Sequence, residues 1–176
     1  MSLLKKLFTL ALLICSSLLA SAQTNINIVI EYAEKALLGM PEKDFREYIE
    51  ATDLLQITND DNWDAVKKGW YSVFCKEANS ELAEKNYLVG AIPSAPITAR
   101  VVIKNINQTG NIDAVIYLTD SEIGDAVEEI PLKVYGGTIG DIVNLMGDGF
   151  EQLGETFGKT YIKILKQQKK QQKKNK

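Results

Sequence analysis

The chain has 176 residues, 45% of them hydrophobic, and its 20 Lys and Arg against 23 Asp and Glu leave a formal charge of −3. It has no histidine, which excludes His-based triads, two-histidine metal sites and the commonest general base at neutral pH. No enzymatic activity, metal or cofactor is therefore expected.

Residues 1–22 carry Lys5 and Lys6, an apolar run from Leu7 to Leu19, and Ala20-Ser21-Ala22 before Gln23. This is the pattern of a cleaved secretory signal peptide, too short in its apolar run for a comfortable membrane span. Cys15 follows Ile14 rather than the small residue a lipidation signal needs, so it is expected to leave with the leader. Cys75 then stands alone, and a lone thiol makes no internal disulfide, so packing must stabilise the fold. The expected layout is a leader at 1–22, one globular domain at 23–158 and a basic tail at 159–176, with export to a periplasmic or extracellular space and no transmembrane span after cleavage.

In chain order, Ile26, Val29, Ile30, Ala33, Ala36 and Leu37 fall at helical spacing before Gly39 and predict a first helix over 25–38. Pro41 suits the first turn of a second helix with Phe45, Tyr48, Ile49 and Leu55 on its apolar side. A third is predicted from Asn59-Asp60-Asp61-Asn62 to about Lys85, lined by Trp63, Val66, Trp70, Val73 and Phe74. The acids around Trp63 read as cap and first-turn charges rather than as a calcium loop, since the alternation and central glycine of an EF-hand are missing.

After Pro93 and Pro96 the period changes to two. Ile97, Ala99, Val101 and Ile103 alternate, Ile112, Ala114, Ile116 and Leu118 answer them, and Gln108-Thr109-Gly110 supplies the turn of an antiparallel hairpin. Ile130, Leu132 and Val134 predict a third strand. Asn107-Gln108-Thr109 is also a glycosylation sequon, relevant only in a eukaryotic secretory pathway. The acidic segment from Asp120 to Glu129 reads as a solvated loop, and the Gly136 to Gly140 turn lacks the lysine-serine ending of a phosphate loop.

The last element is a glycine-bearing helix. Ile139, Val143, Met146, Phe150, Leu153, Phe157, Thr160 and Ile164 recur in steps of four and three, while Gly140, Gly147 and Gly154 recur every seven residues beside that seam. The glycines therefore trim one flank for close packing, on the protein's own sheet or on a partner. The predicted class is α+β: three N-terminal helices, a three-stranded antiparallel meander and a long amphipathic helix on the sheet. Helices followed by a meander resemble in outline the NTF2-like cone, an alternative from which the closing helix departs.

Charge is segregated. All 23 acids precede Gly158, and Lys159, Lys163, Lys166, Lys169, Lys170, Lys173, Lys174 and Lys176 follow it without one acid. An acidic body with a polycationic end predicts a non-enzymatic interaction protein that meets a protein partner or an anionic envelope component, and not nucleic acid. The alternative is a small apolar-ligand binder with a cavity lined by Trp63, Trp70, Phe74, Val101, Ile103 and Ile116.

Overall fold

A computed structural model describes residues 23–52, 63–120 and 126–174. The leader, Leu55, the cap cluster Asn59 to Asn62, residues 121–125 and Lys176 lie outside the described residues. The elements are β1 (Thr24–Tyr32), α1 (Glu42–Ala51), α2 (Trp63–Leu82), a 3₁₀ turn (Ala83–Lys85), β2 (Tyr87–Gly90), β3 (Ile97–Ile106), β4 (Ile112–Asp120), β5 (Ala126–Val134) and α3 (Ile142–Lys174). They form one mixed sheet, ordered β2-β1-β3-β4-β5, with a helical layer on one face. The class is α+β, with five strands rather than three.

The N-terminal segment is the main correction. Residues 24–32 form a strand, not a helix, so the chain opens in the sheet and the outline that resembled an NTF2-like cone does not hold. Ile26 and Ile28 point into the core while Asn25, Asn27 and Glu31 alternate with them, and this period-2 reading competes with the helical one in the same residues. Two parallel neighbours decide the outcome: β1 pairs with β2 at Ile26–Val89 and with β3 from Ile26–Ile97 to Tyr32–Ile103.

The link from β2 to β3 passes across β1 in only six residues, Ala91 to Pro96. Asn27 pins it by accepting the Ile92 N–H at 3.0 Å. The exposed edge of β2 is closed by α2: the Asn79 amide donates to the Val89 carbonyl at 3.0 Å and accepts the Val89 N–H at 2.8 Å, in place of a further strand.

The β3–β4 hairpin forms over the predicted residues. Asn107 Oδ1 accepts the Thr109 N–H, the Thr109 hydroxyl and the Asn111 N–H, which folds the turn around the sequon asparagine. Gly110 adopts φ 72°, and a Cβ there would stand 1.8 Å from the Leu145 carbonyl oxygen. Glycine is required there both by conformation and by the approach of α3.

α3 packs beside α2 in one layer rather than lying alone across the sheet. Rings bridge the layer: Phe45–Trp63 at 5.5 Å, Trp63–Trp70 at 5.3 Å, Trp70 stacked on Phe150 at 5.2 Å, and Phe74 stacked on Phe157 at 5.8 Å. Trp70 also donates its indole N–H to the Val143 carbonyl. Beneath them Val101, Ile103 and Ile116 supply fully buried sheet residues.

Candidate functional site

The residues expected to border an apolar cavity instead fill the core. Phe74, Val101, Ile103 and Ile116 have no exposure, and Trp63 and Trp70 are 4% exposed. Trp70 also borders an open space, a surface groove of about 680 Å³ between α2 and the start of α3.

The glycine face divides in two. Ile139 and Gly140 precede α3, whose start is capped by Asp141: its carboxylate accepts the Asn144 N–H at 2.9 Å. Ile139 is 89% exposed and is no part of the buried seam. Gly147 lies over Trp70, where an added Cβ would make an ordinary 3.6 Å contact. Gly154 meets backbone, and a Cβ there would stand 2.2 Å from the Phe74 carbonyl oxygen.

Two further close approaches escape a seven-residue count: Gly149 against the Gly110 carbonyl and Gly158 against Glu81 and Ala78. The spacing of Gly154 and Gly158 was a readable signal, since small residues four apart let helices approach closely. Val143, Met146, Phe150, Leu153 and Phe157 are buried as one stripe, continued by Tyr161 and Ile164. Tyr161 replaces Thr160 because a straight helix keeps 3.6 residues per turn and drifts off a strict heptad. The folded body accordingly continues beyond Gly158.

Past Ile164 the same helix runs on to Lys174. α3 has 33 residues, about 50 Å at ~1.5 Å per residue, and its last stretch leaves the core. Lys166, Gln167, Gln168, Lys170 and Lys173 are all exposed. Lys159 differs from the lysines beyond it. It is paired with Glu155 and lies 3.9 Å from Glu81, and the hydrogen bond to Glu155 holds its ammonium above the usual lysine range. Lys163, Lys166, Lys170 and Lys173 form no ion pair among the described residues. The helix C-terminus favours these cations, since its unpaired carbonyls carry partial negative charge.

An open cleft of about 750 Å³ beside β1 holds the other concentration of charge. Glu42, in the first turn of α1, accepts from the Trp63 indole at 2.7 Å and from Lys67 at 2.6 Å, and Lys67 also lies 3.3 Å from Asp64. Burial acts to raise the Glu42 pKa, but the Lys67 and Trp63 hydrogen bonds and the Lys67 charge outweigh it and hold the carboxyl below its ordinary value. A carboxylate kept ionised and doubly engaged is a clamp between α1 and α2 rather than a proton donor. Burial likewise pushes the Cys75 thiol up, the opposite of an activated nucleophile. Among the described residues no three His, Cys, Asp or Glu converge on a metal position, and no helix is long and apolar enough to cross a membrane.

No protein-family model matches the chain, and no curated protein matches it in sequence. Solved structures resemble it at low identity. A Xanthomonas campestris protein of the DUF330 family shares 11% identity with a TM-score of 0.46, over 85% of this chain and 89% of that one. An uncharacterised protein shares 12% at a TM-score of 0.46, over 80% and 93%. The PelC dodecamer from Paraburkholderia phytofirmans shares 6% at a TM-score of 0.40, over 77% and 88%. These values lie below the level at which a likeness carries a function across.

Proposed function

We propose that the protein is an exported, non-enzymatic interaction protein whose recognition element is the cationic end of α3 and whose partner is an anionic component of the cell envelope. The observation that carries this reading is the continuation of α3 beyond Ile164 as a helix whose Lys166, Lys170 and Lys173 are exposed and form no ion pair among the described residues. A helix without an apolar face gains nothing by packing, so its cations are available to an external anion. Export is supported by the leader-like residues 1–22, and the first strand begins at Thr24, just past the expected junction at Gln23. The pinned Glu42 and protonated Cys75 support the non-enzymatic part.

The test compares the full chain with one ending at Lys169, which keeps Tyr161 and Ile164 and so the whole core. Binding to vesicles of phosphatidylglycerol and phosphatidylcholine is read at low and high salt. Each lysine near such a surface contributes about 1 kcal/mol, so losing Lys170, Lys173, Lys174 and Lys176 is expected to weaken binding at least about a hundredfold. Equal, salt-independent binding by the two chains refutes the proposal.

A further inference from the structure

We infer that the root of the cationic helix carries a binding site for a single-chain amphiphile with an anionic head. Two hollows, of about 220 and 290 Å³, lie on either side of Leu165 and share Leu165 and Tyr87 in their walls. The first runs between α3 and the sheet, over Ile97, Leu118 and Tyr161; the second opens past Ile162 towards Lys85 and Lys166.

Three observations select the ligand. Tyr87, Ile97, Ile162 and Leu165 are only half-buried although they adjoin the core, so apolar burial is left incomplete along one strip. An alkyl chain laid there would complete it, and at roughly 30 Å³ per water-sized group the two hollows together have room for a chain of ten carbons and its head. Second, Lys85 and Lys166 stand exposed at one mouth, and neither forms an ion pair among the described residues. Third, Asp120 and Glu128 line the opposite end, where they repel an anion and so fix the orientation: head at the lysines, tail towards Leu118. Tyr87 and Tyr161, in an edge contact at 5.3 Å, flank the path between.

The site does not depend on the outer lysines. Lys85 and Lys166 remain in a chain ending at Lys169, so failure of polyanion binding and failure of this site are separately visible. The test is calorimetric titration of the full chain with decanoate below its micellar concentration, with decanol as the neutral control. One decanoate per chain is expected to bind, at least five-fold tighter than decanol, and shortening to octanoate is expected to weaken binding roughly tenfold for the two methylenes lost. The double variant K85E/K166E changes two exposed residues and is expected to abolish the preference for decanoate over decanol. Filling the strip with Ile97→Trp, in protein checked for a native urea transition, is expected to weaken both probes. Absence of saturable decanoate binding, or decanoate binding unchanged in K85E/K166E, overturns the inference.

Discussion

Gly147→Ala and Gly154→Ala are the same chemical change one heptad apart in one helix, and the structure predicts opposite signs. Each gains the helix propensity that glycine forfeits, about 1 kcal/mol. At Gly147 the new methyl meets the Trp70 ring at 3.6 Å, a normal contact, so the gain is kept. At Gly154 it would stand 2.2 Å from the Phe74 carbonyl oxygen and 2.9 Å from the Phe74 Cα. Backbone cannot rotate aside as a side-chain end can, so α2 and α3 must separate along a contact that includes the Phe74–Phe157 stack. Overpacking of this kind costs typically 1–3 kcal/mol, and the upper end applies where the obstacle is main chain. Because propensity cancels between the variants, Gly147→Ala is expected to exceed Gly154→Ala in stability by about 3 kcal/mol. Urea unfolding followed by tryptophan fluorescence measures it, since Trp70 lies at the same interface. For a chain of this size each kcal/mol moves Tm by about 2–4 °C, which gives a thermal check. Equal stability of the two variants would refute the claim that α3 is seated on the α2 backbone.

Asn79→Leu leaves both Val89 backbone groups without partners at the sheet edge, and about 2 kcal/mol of stability is expected to be lost, with Val89 amide exchange accelerated beyond the global effect. The Glu42 clamp makes stability pH-dependent. Its folded pKa is depressed, so its contribution is present above the ordinary carboxyl value of 4.5 and is lost as pH falls through the lower folded value. Glu42→Gln is therefore expected to flatten the acid limb of a urea-midpoint against pH profile, and an unchanged limb would sink the assignment. Gly110→Ala, which adds a Cβ at φ 72° and 1.8 Å from the Leu145 carbonyl oxygen, is expected to lower Tm more than Gly39→Ala, whose Cβ would meet nothing within 4 Å despite φ 75°.

Elements whose signal is local were readable in the sequence. The β3–β4 hairpin alternates cleanly around its own turn, and α1 and α2 carry their apolar faces at helical spacing. β1 was not, because Ile26, Val29, Ile30 and Ala33 satisfy a helical period while Ile26, Ile28 and Ile30 satisfy a strand period. What selects the strand is pairing with residues such as Ile97 and Val89, far along the chain. β2 is four residues long and exists as a strand only beside β1, so nothing in Tyr87 to Gly90 announces it. The glycines of α3 were legible as a packing device, but their target was not: regular spacing drew attention to Gly140, which lies outside the helix. Gly149 and Gly158 matter because of what faces them. The lysine-rich end was visible as composition, and the Glu155–Lys159 pair as an i,i+4 spacing, whereas the approach of Lys159 to Glu81 needed α2 beside it.

The position of β1 makes the sheet depend on pairing between distant parts of the chain. β3, β4 and β5 pair through short connections, whereas α2 meets α3 across separations such as the 73 positions from Trp70 to Val143. β1 closes contacts such as Asn27 with Thr98, 71 positions apart, and separations of this kind slow folding because a long loop must be closed before any pairing rewards it. Without it β2 has no strand neighbour and β3 keeps an unpaired edge facing a gap one strand wide. β1 is thus the middle strand of three whose pairing is wholly long-range, and a chain lacking residues 23–33 should accept that strand back as a separate peptide.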